Sequence, residues 1–144
     1  MRAAIAAAAI AVALTGCAPI GRLVPSFVAD REPLPACGEE TSAHGETRNV
    51  PARQCLLDAF TAGTKAEFIT TEDTIEGDPI TRIIRVLGPS EVQIFVDETR
   101  DSFGSGAWVE LTCSRLVPIE EFNDPPDTVM PATMVFIEDG CEAL

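Results

Sequence analysis

Histidine and lysine are nearly missing from this chain. Its 144 residues hold one histidine, His44, and one lysine, Lys65. A serine or cysteine hydrolase needs a base beside its nucleophile, and His44 sits in a polar stretch that reads as a solvated loop. A Gly-x-Ser-x-Gly elbow is absent, with Gly104-Ser105-Gly106 matching only superficially. No Cys-x-x-Cys occurs, which removes the dithiol redox motif and, with a single histidine, the usual zinc ligand sets. No glycine loop of the phosphate-cradling kind is present. Basic residues are few, 10 against 23 acids, for a formal net charge of −13. A chain this acidic is a poor partner for nucleic acid or anionic headgroups. No catalytic residue, metal site or cofactor is expected.

What is present begins at the N-terminus. Met1-Arg2 supplies one positive charge, and Ala3 to Leu14 has no polar residue. A charged start and a short apolar run match a secretory signal peptide. The run is too short for a bilayer span, which needs ~20 apolar residues. Directly behind it stands Leu14-Thr15-Gly16-Cys17. This resembles the lipobox of bacterial lipoprotein precursors at all four positions. The resemblance implies cleavage after Gly16, a diacylglyceryl group on the Cys17 thiol, and a mature chain held on the extracytoplasmic face of the cell membrane. Two or more acyl chains anchor stably where one does not.

Removing Met1–Gly16 leaves 144 − 16 = 128 residues, enough for one domain with its own core. The leader carries Arg2 and no acid, so the formal charge moves from −13 to −14. With Cys17 taken by lipid, Cys37, Cys55, Cys113 and Cys141 remain. An even count in a small exported domain reads as two disulfides. Of the three pairings, Cys37–Cys55 with Cys113–Cys141 is favoured, because each closes a modest loop.

Residues 17–36 read as a proline-containing tether, with Pro19, Pro25, Pro33 and Pro35. Extended, it reaches up to about 60 Å at ~3.1 Å per residue. The alternative is that Leu23, Val24, Phe27 and Val28 form a brief strand or dock on the domain. Residues 37–144 form the domain. Gly38–Arg48 is polar and reads as a loop. Pro51–Ala62 is the one good helix, capped by Asn49 or Val50 and stopped by Gly63. Ala52, Leu56, Ala59 and Phe60 share a face with Cys55 beside them, and Arg53, Gln54, Asp58 and Thr61 lie elsewhere.

The period then changes to two. Ala66–Thr74, Pro79–Leu87, Glu91–Glu98 and Ala107–Arg115 read as strands, and Thr133–Ile137 as a possible fifth. Short turns at Glu76-Gly77-Asp78 and Gly88-Pro89-Ser90 imply antiparallel neighbours. The expected fold is therefore α+β, one N-terminal helix on an antiparallel four- to five-stranded meander, with two disulfides.

This middle stretch also resembles small lipoproteins of high-GC Gram-positive bacteria. The likeness rests on Cys55-Leu56-Leu57-Asp58-Ala59-Phe60, Glu76-Gly77-Asp78-Pro79-Ile80, Phe95-Val96-Asp97, Phe103-Gly104, Trp108 and Cys113. It spans most of 37–113 and implies no activity.

Three kinds of site remain open. Acid pairs among Glu72, Asp73, Glu76, Asp78, Asp97 and Glu98 are candidates for a small hydrolase. Asp97, Thr99 and Asp101 sit at calcium offsets, although Ser102 and Trp108 stand where an EF-hand needs Gly and Glu. Trp108, Thr70 and Thr71 are candidates for a binding surface on the strands. The favoured function is a lipid-anchored module that binds an envelope protein or small molecule, with the acidic-turn hydrolase or calcium-dependent enzyme as runner-up and a structural spacer as the third class.

Overall fold

The computed structural model describes residues 24–43, 48–121 and 131–144. A single turn of helix α1 (Ser26–Ala29) leads to strand β1 (Ala36–Ser42) and helix α2 (Val50–Ala62). Then come β2 (Ala66–Asp73), β3 (Pro79–Gly88), β4 (Glu91–Asp97), β5 (Trp108–Pro118) and β6 (Phe136–Ala143). The six strands form one sheet in the order β1-β2-β3-β4-β5-β6.

The expected meander of four to five antiparallel strands is thus overturned. β1 pairs with β2 in parallel, while the remaining neighbours are antiparallel. The sheet is mixed and six-stranded. A parallel pair needs a crossover of a dozen or more residues, and α2 supplies it. Of the Gly38–Arg48 segment read as a loop, 38–42 belong to this edge strand. Its sequence, Ala-Cys-Gly-Glu-Glu-Thr-Ser, has no apolar alternation. At the other edge, the fifth strand read at 133–137 runs instead over Phe136–Ala143.

Local chemistry sets the helix bounds. The Asn49 side chain accepts the Ala52 N–H at 3.2 Å, which satisfies one orphan donor of the first turn. Pro51 sits in that turn at no cost. Gly63 ends the helix at φ 66°, a left-handed position that favours glycine.

Alternation in the strands sends one set of side chains under α2. Ala66, Phe68, Ile84, Val86, Val92, Ile94, Val96 and Cys113 join Ala52, Leu56 and Leu57 there. Leu116, Val135 and Phe136 belong to the same cluster. Leu116 follows Cys113 by three residues, so strict alternation breaks between them. Gly140 lies opposite this break at φ 64°. That left-handed φ favours glycine, and a Cβ there would also crowd the Ser114 side chain. Beyond it, the far half of β5 and the near half of β6 fold over the core beside α2. A salt bridge from Arg82 in β3 to Glu138 in β6 (3.3 Å) spans strands that are not sheet neighbours.

The structure joins Cys37 to Cys55 and Cys113 to Cys141. The first ties β1 to α2. The second links directly paired residues of β5 and β6 beside the Gly140 bend.

Candidate functional site

The face of the sheet opposite α2 is partly covered by the chain leading into β1. This is the docking alternative within the 17–36 span. Val28 is buried against Ile83 and Phe95, with Ile69 and Trp108 at the margin. The Phe27 and Phe95 rings lie 5.8 Å apart between centroids. Arg31 donates to both carboxylate oxygens of Glu67 at 3.0 Å. Arg85 donates to the same carboxylate at 3.1 Å and to the Glu32 carbonyl. Glu67 holds the Arg31 guanidinium above its already high ordinary pKa. Cys17 and the leader lie outside the described residues, as does His44. Among the described residues, no helix is long and apolar enough to cross a membrane.

The candidate binding residues separate. Thr70 faces α2, is buried, and donates its hydroxyl to Glu40 at 3.0 Å. It is part of the interior. Thr71 and Trp108 lie on the opposite face and share one register row. That row runs Thr71, Thr81, Asp97, Trp108 across β2 to β5. Thr71 and Thr81 hydroxyls are 2.9 Å apart. All four residues are half-buried. The row borders the Val28–Phe95 cluster on one side and the turns after β2 and β4 on the other.

Those turns hold Asp78, Glu98 and Asp101, with Asp97 at the end of β4, and the carboxylates of these four serve the backbone, whereas Glu72 lies in β2 and pairs with Arg48 and Arg53. Asp97 accepts the Thr99 N–H at 3.0 Å, and Asp101 accepts the Phe103 N–H at 2.9 Å. Glu98 accepts the Ser105 N–H at 2.9 Å, and Asp78 accepts the Ser102 N–H at 2.8 Å. Donation from Ser102 holds the Asp78 carboxyl below the usual range. Such acids cap turn N–H groups. Among the described residues, no group of three or more His, Cys, Asp or Glu side chains converges as a metal site would require.

Sequence patterning misses the largest polar cluster, which lies inside. Patterning sets Arg53 off the inner face, yet it is buried on it. Its guanidinium pairs with Glu40, donates to Glu72 at 3.1 Å, and reaches the Met134 carbonyl at 3.3 Å. It also stacks over the rings of Phe68 (5.4 Å) and Phe136 (5.8 Å). Glu40 further accepts the Asn49 N–H at 2.7 Å. Burial pushes the Glu40 pKa up, but Arg53, Asn49 and Thr70 together hold it below the ordinary value. Arg53, Asn49 and Thr70 satisfy Glu40 from within the fold, and Arg48 donates to Glu72 at 2.6 Å; among the described residues, Arg48 Nε and Ser42 Oγ are buried there without a hydrogen-bond partner. An open groove of about 530 Å³ lies elsewhere, where Ser90 and Glu91 face the Cys113–Cys141 disulfide.

Comparison with protein-family models, with curated proteins and with solved structures returns no match for this chain.

Proposed function

We propose that this chain is an exported lipoprotein, anchored at Cys17 on the extracytoplasmic face of a membrane, whose domain is a binding module. Its partner is an envelope protein or a small molecule. The observation that carries the binding reading is the half-open row Thr71–Thr81–Asp97–Trp108 on the face that α2 leaves free. A half-buried indole, two hydroxyls and a carboxylate there combine apolar area with hydrogen-bonding groups.

The address is supported by cysteine usage. Cys37, Cys55, Cys113 and Cys141 are joined to one another in two disulfides. Disulfides persist in oxidising compartments. The lipobox-like Leu14-Thr15-Gly16 in front of Cys17 matches a residue destined for lipid.

Two measurements test the two halves. Cys17→Ser is expected to move the protein from the membrane fraction to the soluble fraction; retention in membranes overturns the anchor. A photo-crosslinker at Glu110, next to this row on β5, is expected to capture a discrete species in intact cells. The same group at Gln54, on the exposed side of α2, is expected to capture nothing comparable. Equal capture at both positions overturns the binding face.

A further inference from the structure

We infer that Ile75 and Phe103 form a two-point contact with the lipid leaflet that holds Cys17, so that the domain lies on the membrane with this end of its sheet down. The inference rests on the anchor reading above and adds an orientation and a surface to it.

Ile75 and Phe103 are the most exposed large apolar side chains among the described residues, at 89% and 81%. They are on separate turns, one after β2 and one after β4. The hydrogen bond from Ser102 N to Asp78 Oδ2 fastens these turns to each other at 2.8 Å. The β2–β3 turn is closed by Thr74 and Asp78, with the Thr74 N–H donating to the Asp78 carbonyl at 2.8 Å. The β4–β5 turn is closed by the Asp101 and Glu98 carboxylates. Both tips are thus presented from hydrogen-bonded loops. Val50, also exposed, starts α2 at this same end, because β1 runs parallel to β2 and delivers the chain there.

The course of the N-terminal segment identifies what these tips meet. Arg31 and Glu32 lie over the row of Glu67 and Arg85. Val28 and Phe27 lie over the next row, at Ile83 and Phe95. Traced backwards, the segment therefore steps along the strands towards the Thr71–Trp108 row and the two tips. Val24, half exposed, is its first described residue. Seven Cα–Cα steps separate it from Cys17, a reach of at most about 25 Å at ~3.3–3.6 Å per residue. The lipid cannot be farther from Val24 than that. The docked segment thus replaces most of the ~60 Å stand-off that an extended 17–36 tether implies.

Short tethering makes contact of the tips with the leaflet effectively intramolecular, so two apolar side chains are enough without a basic patch. Glu76 and Asp101 flank the tips. Their charge opposes deep entry into an anionic surface and restricts the contact to the interface.

The test uses the full lipidated protein, purified from membranes and reconstituted into phosphatidylcholine vesicles with brominated phosphatidylcholine as quencher. Trp108→Phe removes the native indole, and Phe103→Trp or Glu91→Trp then places one at the tip or at the far end of β4. The tip indole of the Phe103→Trp variant is expected to be quenched about threefold more strongly than the indole of the Glu91→Trp variant. Its emission should also be blue-shifted, as for an interfacial residue ~5–10 Å deep. Adding Ile75→Ser is expected to reduce the quenching at the tip, and vesicles rich in phosphatidylglycerol to weaken it. Equal quenching of the two probes while the protein still floats with vesicles overturns the contact and leaves the anchor standing. A chain that carries no lipid, or a Cys17→Ser variant that stays in membranes, overturns both.

Discussion

The two edges of the sheet solve one problem by different means. β1 and β6 are both polar strands, rich in acids and poor in apolar alternation, and each holds one end of a disulfide. β1 turns its charge inwards: Glu40 and Ser42 are buried, and its covalent link leaves the sheet to reach α2. β6 pairs its Glu138 with Arg82 and turns Asp139 and Glu142 outwards. Its link stays within the ladder, and its hold on the interior is Phe136, which is 1% exposed. Exposed strand edges invite pairing with other chains, and charge is a common guard. Here both edges are acidic, and the comparison shows what can replace an apolar face in specifying an edge strand. On one side it is a buried ion pair; on the other it is an aromatic anchor beyond a bend. Arg53 serves both, because its guanidinium meets Glu40 of β1 and stacks over Phe136 of β6.

The largest effect should therefore come from Arg53→Leu. The substitution removes the cation in direct contact with the buried Glu40 and leaves only Arg48, 3.9 Å away; breaking a buried pair typically costs about 3–5 kcal/mol. Urea denaturation at pH 7 measures it, and a loss below about 1 kcal/mol would show that the edges do not converge on Arg53. The pH dependence follows from Glu40, whose folded pKa is lowered from 4.5. Its stabilising contribution is fully present above that value and is lost as pH falls through the lowered folded value. In the variant, the buried carboxyl loses its nearest cation and keeps only Arg48, Asn49 and Thr70, so it titrates higher and gains by protonation. The stability gap between the two proteins is expected to narrow on acidification, and a gap that widens contradicts the assignment.

The disulfides sharpen the contrast next. Sequence separations of 18 and 28 residues give about 3.2 and 3.6 kcal/mol in the chain-entropy model, which ranks Cys113–Cys141 first. Packing argues for the reverse order. Without its link, β1 has a ladder on one side only and no buried apolar side chain of its own, whereas β6 keeps Phe136 and its pairing with β5. Cys37→Ala/Cys55→Ala is expected to cost about 3–4 kcal/mol, and Cys113→Ala/Cys141→Ala about 2–3 kcal/mol. Denaturation of both double variants settles the order. The opposite ranking would show that loop entropy outweighs local packing.

The same edges mark where sequence reading ended. α2 was legible because Asn49, Pro51 and Gly63 punctuate an apolar stripe. The strands β2 to β5 were legible because Phe68, Ile84, Ile94 and Val109 alternate and turn residues separate them. The pairing of cysteines was legible from loop size alone. β1 was not, because Glu40 and Ser42 occupy its inward positions and nothing local marks a buried glutamate. Its signal lay in Arg53, an arginine one position beyond Ala52 on an otherwise apolar stripe. β6 was displaced because the pattern stops at Ile137, and what continues the strand is the register with β5 and the bend at Gly140. Of the candidate surface residues, Thr71 and Trp108 share a row, and Thr70 is excluded by the same alternation that puts its neighbour Thr71 on the open face.

The smallest effect separates the two ion pairs most cleanly. Arg115 on β5 pairs with Asp139 on β6, just past the bend, as Arg53 pairs with Glu40 at the other edge. The contact type is the same, but the Arg115 and Asp139 side chains are 63% and 43% exposed. Arg115 and the Gly140 N–H hold the Asp139 carboxyl below its usual range. Water nevertheless screens the pair and solvates either partner left alone. Arg115→Ala is thus expected to leave the urea midpoint within error of the parent at pH 7, while nuclear magnetic resonance shows the Asp139 pKa rising. A midpoint that falls as far as it does in Arg53→Leu would mean that the outer face of the bend is as closed to solvent as the inner one. The contrast between an edge held by buried charge and an edge held by an aromatic anchor would then fail.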